Sequence, residues 1–267
     1  MKKSMYYSII FMFLMSISII SCKKEKELDT DDITTAEDQS QGEMTFDLVY
    51  AEVNEAAEDL GLKKGGFPIV SVDSSVSPIT MTIDYGTSNY LCKDGNLRRG
   101  VILVKWTGAY RNPGTKILIT FDKFYQNNNL VEGEKSITNN GFNANGQLSF
   151  SIEVSGKITT PSAETFTWKS NRTRLWVAGA NTASRLDDIY EITGAGSGVN
   201  RKGIGFTAEI TKALRVVLSC SHKIVSGIVE VKPENKLLRT IDFGSGACDE
   251  FISITVNGKT RTIARRK

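Results

Sequence analysis

The sequence predicts an all-β fold, a large antiparallel meander that is curled or folded into two sandwich-like layers, with one amphipathic helix near its N-terminus. From Ile79 onward apolar residues recur with a period of two, as they do in a half-buried strand. Asn-Gly and Asp-Gly pairs, which suit turns with positive φ, separate these runs. Because the connections are short, successive strands are expected to pair in chain order.

The chain begins with the pattern of a bacterial lipoprotein signal. Lys2 and Lys3 precede the apolar run Tyr6–Ile20, and Ser21 supplies the small residue before Cys22. As a helix this run would cover roughly 22 Å, short of the ~30 Å of a hydrocarbon core, so it favours a cleaved signal over a retained span. We therefore predict that Cys22 is lipidated and that its acyl chains anchor the protein to a membrane.

The residues after Cys22 carry a second targeting feature. The mixed Lys/Glu cluster Lys23–Glu27 resembles the export signal of surface lipoproteins of the Bacteroidetes phylum. This resemblance implies the outer membrane and a position at the cell surface rather than on its periplasmic face. A solvated spacer on a periplasmic lipoprotein is the alternative interpretation.

Composition divides the chain into four parts. Residues 1–21 are the signal, and residues 22–44 are predicted as the lipidated cysteine and a flexible acidic tether, because they have too few apolar side chains to offset ordering entropy. Residues 45–66 contain a helix and its end, and residues 67–267 form a single β domain. The helix is predicted over Thr45–Leu60 and is expected to pack on its own domain. Its apolar side chains recur at spacings of three and four: Phe46, Val49, Val53, Ala56, Ala57 and Leu60.

Runs rich in β-branched and aromatic residues define the candidate strands of the β domain. These are Ile79–Tyr85, Val101–Thr107, Lys116–Tyr125, Leu130–Thr138, Gln147–Thr159, Thr165–Trp168, Arg174–Ala178, Asp188–Thr193, Gly203–Ile210, Arg215–Cys220, Ile224–Lys232, Leu237–Phe243 and Phe251–Ile263. Two of them end alike, in Ile83–Gly86 and Ile241–Gly244, which are followed by Cys92 and Cys248. If this echo is more than coincidence, the two units are expected to lie side by side and close the sheet.

The charge balance argues against nucleic acid as a partner. Lys and Arg number 33 and Asp and Glu number 30. Removal of Lys2 and Lys3 with the signal leaves 31 basic and 30 acidic residues, and nucleic-acid binding needs a concentrated basic surface. A C-terminal basic cluster is predicted to be a solvated sheet edge. Its members are Lys259, Arg261, Arg265, Arg266 and Lys267.

Three cysteines follow Cys22, namely Cys92, Cys220 and Cys248, and an exported protein can form disulfides. A hairpin around Pro233–Lys236 carries residue 221 roughly opposite residue 248. This register favours a Cys220–Cys248 disulfide over the two pairings that involve Cys92, although bulges at the glycines near Cys248 could shift it.

Histidine is scarce, which limits the catalytic classes. His222 is the only histidine, so neither a histidine-rich metal site nor a Ser/His/Asp triad is predicted. No cofactor-binding motif is present, and we predict no catalytic residue, metal or cofactor. Paired carboxylates, which suffice for glycoside hydrolysis, stay open because six aspartates are available. These are Asp84, Asp94, Asp122, Asp187, Asp188 and Asp242.

Aromatic residues offer a second route to function, because sugars and peptides bind to exposed ring faces. The candidates for ligand-facing positions are Trp106, Tyr110, Trp168 and Trp176, with Tyr125 and Tyr190 as further choices. The competing interpretation is that these rings fill the core.

Five short segments of the β domain resemble an uncharacterised family of Bacteroidetes lipoproteins: Ile83–Gly86, Ile119–Asp122, Ile137–Gly141, Tyr190–Gly194 and Ile241–Gly244. The resemblance implies a location but no activity. The expected function is a membrane-anchored, surface-exposed module for binding or adhesion, with a glycan, a peptide or an envelope protein as its partner. The alternatives are a carboxylate-dependent polysaccharide hydrolase and a β-sheet protein that carries lipid along an apolar groove.

Overall fold

The described residues form one helix and one open antiparallel sheet of 14 strands. A computed structural model of the chain describes residues 32–58, 67–182 and 184–265. The helix, α1, spans Thr34–Glu58. The strands are β1 Ile69–Asp73, β2 Ile79–Asp84, β3 Tyr90–Leu91, β4 Leu97–Trp106, β5 Lys116–Gln126, β6 Asn129–Phe142, β7 Leu148–Thr159, β8 Thr165–Ala178, β9 Ile189–Val199, β10 Gly205–Val217, β11 Ile224–Pro233, β12 Arg239–Ser245, β13 Phe251–Val256 and β14 Lys259–Ala264.

The strands lie beside one another in chain order, which confirms the predicted all-β meander. The short strand β3 is the exception, because it pairs only with β4, and β1 and β14 form the two edges. The meander forms a single curled sheet and not the two sandwich-like layers that were the alternative prediction. Its inward side chains on β7 are apolar, whereas the outward ones are mainly Ser, Glu and Lys, so one face packs and the other is wet.

Helix α1 packs on the inward face of the sheet, which curls around it. The ring of Phe46 contacts Phe121 of β5 and Trp168 of β8, with ring centroids 5.9 and 5.7 Å apart. Gly156 of β7 leaves the space that this ring occupies. Since α1 also touches β11, it serves as the centre of the core rather than as an appendage.

The helix begins at Thr34, eleven residues before the predicted start at Thr45, so the predicted tether is wrong over residues 34–44. Two acidic side chains of this stretch are not solvated. Asp38 and Glu43 are buried and pair with Arg201 and Arg172, which lie more than 120 residues away in the chain. The composition of this stretch reveals its acidic residues but not the distant arginines that pair with them. For this reason the sequence indicated a flexible tether.

Several sequence predictions lie outside the described residues. These are the signal 1–21, the lipidation site Cys22, the export cluster Lys23–Glu27 and the predicted helix end at Leu60.

Two strands that were predicted as pairs of short strands are continuous. In β8, the inward side chains of Ser170 and Arg172 are buried and interrupt the apolar alternation, which hid the middle of the strand. In β10, the register with β9 shifts between Glu209 and Leu214, so the period of two is lost there. Conversely, the predicted strand Phe251–Ile263 is a hairpin of β13 and β14, and β1 and β3 were not predicted.

The sequence similarity between Ile83–Gly86 and Ile241–Gly244 corresponds to a similar local turn. The Gly86 amide donates to the Asp84 carboxylate over 2.7 Å, and the Gly244 amide donates to Asp242 over 2.8 Å. Both glycines have positive φ. The two units therefore share a turn, but the sheet stays open between its edges and the expected closure is wrong.

A disulfide joins Cys220, after β10, to Cys248, before β13, and their Cα atoms are 5.3 Å apart. This is the pairing that the hairpin register favoured. Cys92 is a buried free thiol. The disulfide ties the turn between β10 and β11 to the turn that leads into β13.

Candidate functional site

An apolar cleft of about 190 Å³ lies between α1 and the last strands of the sheet. The helix supplies one wall, and residues of β11 to β14 supply the other. The apolar lining consists of Met44, Leu48, Ala51, Ile224, Phe243, Ile252, Ile263 and Ala264. Polar and charged residues also line the cleft, but most of its accessible lining surface is apolar, so the cleft favours an apolar occupant.

The helix reaches the cleft through a second apolar side. Met44, Leu48 and Ala51 are spaced by four and three residues, so they lie on one side of α1. At 3.6 residues per turn this side is centred roughly 180° from Phe46 and Val53, which pack on the middle of the sheet. The sequence analysis identified only the side with Phe46 and Val53. The spacing of Met44, Leu48 and Ala51 was the pattern that could have indicated the cleft side.

The charged groups at the cleft come from both walls. On the helix, the Asp47 carboxylate pairs with Lys135 Nζ at 3.1 Å, and Glu37 lies nearer the N-terminus. On the sheet side, Lys223 donates to the carbonyl of Leu218. Burial lowers the pKa of the Lys223 ammonium, and the positive charge of a nearby arginine adds to this effect.

Arg265 lines the sheet side of the cleft. Its guanidinium donates to the carbonyls of Ile224 and Asp249, over 2.7 and 2.6 Å. Its Nε is buried and has no hydrogen-bond partner in the described part of the chain. Burial lowers the pKa of this guanidinium, and the charge of Asp249 opposes the shift only in part. Within the described residues, this guanidinium therefore keeps one buried donor without an acceptor.

Buried ion pairs hold the helix in place beside the cleft. Arg172 contacts Glu43 at 2.9 Å, and their side chains are only 3% and 8% exposed. Trp168 Nε1 donates to the side chain of Gln39 over 2.9 Å. These contacts link α1 to β8 and fix the rotation of the helix, and thereby the direction of its cleft side.

A second ion pair anchors the C-terminal part of α1. Arg98 of β4 lies 3.3 Å from the carboxylate of Glu52, and the hydroxyl of Tyr85 donates to the same carboxylate over 2.6 Å. Burial raises the pKa of Glu52, and the charge of Arg98 only partly opposes this. For Asp94 burial also opposes ionisation, but the hydrogen bonds and the charge of Arg98 and the hydrogen bonds from Asn96 together outweigh it and lower the pKa.

Arg174 is enclosed by aromatic rings. It bonds to the hydroxyls of Tyr50 and Tyr110 and lies 4.8 Å from the ring centroids of Tyr50 and Tyr190. Burial opposes its protonation, but the interactions with the three tyrosines outweigh that effect and raise its pKa. The cluster joins α1 to β8 and β9, and its role is structural.

The aromatic residues that the sequence singled out do not form a ligand-facing surface. Trp168 and Trp176 are 3% and 5% exposed, and Trp176 donates to Asp188 over 3.1 Å. Tyr110 stacks on Phe150 with ring centroids 4.9 Å apart, and Trp106 is partly buried against the core. The prediction of ligand-facing rings is therefore wrong. The physical reason is that the inward face of a sheet curled around a helix needs large side chains to fill it.

The six candidate aspartates occupy dispersed positions. Asp94 is paired with Arg98, and Asp188 is buried and accepts a hydrogen bond from Tyr190. Asp84 and Asp122 both pair with Val101 from opposite sides, so they are two strand spacings apart, roughly 10 Å. This is a backbone spacing and does not by itself set the distance between the two carboxyl groups, which in glycosidases is roughly 5–9.5 Å. In the described ranges, no group of three or more His, Cys, Asp and Glu residues is arranged to hold a metal.

The chain matches no protein-family model, and comparison with curated proteins and with solved structures gives no match either. No helix within the described residues has the length and the hydropathy that a membrane span requires. The fold and the cleft are therefore the basis on which a function is proposed.

Proposed function

We propose that the protein is a lipid-anchored binding module of the bacterial envelope and that the cleft between α1 and β11–β14 is its ligand site. The cleft is the observation that carries this proposal. Protein interiors are packed with few voids, and an apolar pocket with a few polar groups is the usual form of a binding site. A cavity of roughly 150 Å³ holds benzene, so 190 Å³ suits one apolar side chain or the end of an alkyl chain.

The proposed location rests on the N-terminal pattern. Cys22 would carry the lipid, and the cluster Lys23–Glu27 would direct the protein to the cell surface, where a glycan, a peptide or an envelope protein is accessible. Protease treatment of intact cells of the native host tests this proposal. We expect cleavage of the wild type and protection of a lipidated variant whose 23–27 cluster is replaced by alanines. Protection of the wild type, while a known surface protein is cleaved, would contradict surface exposure.

Filling the cleft is expected to abolish binding of an apolar probe. Ala51 lines the cleft, whereas Ala57 lies on the same helix and is exposed. In the full chain carrying Cys22→Ala, we expect the fluorescence of N-phenyl-1-naphthylamine to rise on binding. Ala51→Phe should weaken this binding at least tenfold, because a phenyl ring takes up most of a cavity of this size.

The matched control is Ala57→Phe, which adds the same ring on the solvent side and should bind the probe as the wild type does. Equal binding by both variants would place the probe elsewhere. No binding by the wild type would remove the support for the cleft as a ligand site.

A further inference from the structure

We propose that the ligand of the cleft is an extended peptide segment of another protein, which adds to the free edge of β14 and places one apolar side chain in the cleft. This inference rests on the proposed function and specifies the partner of the same site. It follows from the open main chain of β14, the position of the cleft beside this edge and the charge of the edge strand.

The main chain of β14 is open on one side. β14 is the last strand of the sheet, and among the described strands it pairs only with β13. The Arg265 amide donates to the carbonyl of Glu250 over 2.8 Å, so the main-chain groups of this pair face each other. Because such pairs alternate in an antiparallel ladder, Thr260, Thr262 and Ala264 direct their N–H and C=O groups away from β13. An extended peptide can form hydrogen bonds at these three positions.

The cleft lies directly beside this open edge. Ile263 and Ala264 of β14 line it on the sheet side, and Met44 and Leu48 of α1 line the opposite side. Ile263 pairs with the buried Ile252 but is itself only half-buried, so the inward face loses its cover toward the edge. In an added strand, the residue opposite Ile263 would point to the same face and hence toward the cleft. The volume of about 190 Å³ suits one side chain such as leucine.

The edge strand is basic and contains no acidic residue. Lys259 and Arg261 are exposed, and they share the inward side of β14 with Ile263 because they lie four and two residues before it. Opposite charges stabilise directly opposed residues of neighbouring strands. The preferred peptide therefore has an acidic residue two positions away from its apolar one.

The same charge disfavours a second copy of this chain as the occupant. In antiparallel registers of two β14 strands centred on Thr260, Arg261 or Thr262, two basic side chains of the two copies lie directly opposite each other. Like charges in such positions destabilise a strand pair, and basic residues on edge strands hinder pairing between identical sheets. The occupant is therefore a partner of different sequence.

A synthetic peptide tests this inference. The probe is the heptapeptide Thr-Glu-Thr-Leu-Thr-Glu-Thr, labelled with fluorescein at its N-terminus and amidated at its C-terminus. Its pattern is the same in both directions, so it suits parallel and antiparallel addition. Fluorescence anisotropy at neutral pH measures its binding to the full chain carrying Cys22→Ala. We expect saturable binding that weakens at least tenfold when serine replaces the leucine of the peptide, or when Ala51→Phe fills the cleft.

Two variants of β14 make the test specific. Thr262→Pro removes an outward N–H group but no hydrogen bond to β13, and should weaken peptide binding at least tenfold. The matched control is Thr262→Val, which keeps this N–H group and should bind the peptide as the wild type does. Arg261→Glu should shift the preference at least fivefold toward a peptide in which lysine replaces both glutamates. All three variants should still bind N-phenyl-1-naphthylamine.

Binding of the naphthylamine but not of the peptide by the wild type would overturn the inference and leave the cleft as an apolar ligand site. Peptide binding that Thr262→Pro or Ala51→Phe leaves unchanged would also overturn it. If Thr262→Pro loses the naphthylamine as well, the Arg261→Glu variant decides, and an unchanged preference there would overturn the inference. If neither probe binds to the wild type, the proposed function fails together with the inference.

Discussion

Replacing Glu43 by leucine is expected to lower the free energy of unfolding by about 3–5 kcal/mol, because it leaves the guanidinium of Arg172 buried without a counter-charge. Both side chains are almost wholly covered, and Glu43 is in contact with two nitrogen atoms of the guanidinium. Glu43 also accepts a hydrogen bond from Gln39 over 3.0 Å, which the substitution removes. Urea unfolding measures the effect.

Two further variants make the interpretation specific. The double variant Glu43→Leu/Arg172→Met replaces the whole pair by apolar side chains and should recover most of the loss. Glu191→Leu breaks the half-exposed pair with Arg215 at 3.4 Å and should cost less than about 1 kcal/mol. A Glu43→Leu protein as stable as the wild type would show that α1 does not dock in the described position.

Substituting Gly156 by valine is expected to cost about 3 kcal/mol, because the inward side of β7 has no room for a side chain at this position. A Cβ atom added there would lie 2.3 Å from the ring of Phe46, well inside van der Waals contact. The added atoms would push the helix away from the sheet. Thermal unfolding followed by circular dichroism measures the loss.

The neighbouring outward position supplies the control. Ser155 is exposed on the same strand, and Ser155→Val should change stability little, since valine suits a strand. Shortening the opposing ring in Gly156→Val/Phe46→Leu should restore part of the stability. If Gly156→Val is as stable as Ser155→Val, the contact between Phe46 and β7 is absent.

The strands were predictable where polar and apolar side chains alternate without interruption. In β7 the inward residues Phe150, Ile152 and Val154 alternate with exposed or half-exposed ones, and the prediction differs by one residue at one end. In β8 the alternation continues, but Ser170 and Arg172 take inward positions. Their burial depends on partners from α1, which no local pattern of β8 contains.

The same limit explains the helix and the cleft. The residues that carry the early start of α1, such as Asp38 and Glu43, have a polar composition that is typical of a tether, and only distant arginines make them part of the core. The cleft side of α1 was visible as the spacing of Met44, Leu48 and Ala51. Its significance depends on β11–β14 facing it, which is a property of the curled sheet.

The most direct test of the central claim is to map the position of a bound ligand by methyl NMR. The full chain carrying Cys22→Ala, labelled at Met, Leu and Ile methyl groups, is titrated with N-phenyl-1-naphthylamine. We predict saturable shifts at Met44, Leu48, Ile252 and Ile263, and none at Leu103 and Leu175, which point away from α1. Shifts confined to the outward face, or no saturable shift at the four cleft residues, would contradict the assignment of the cleft as the binding site.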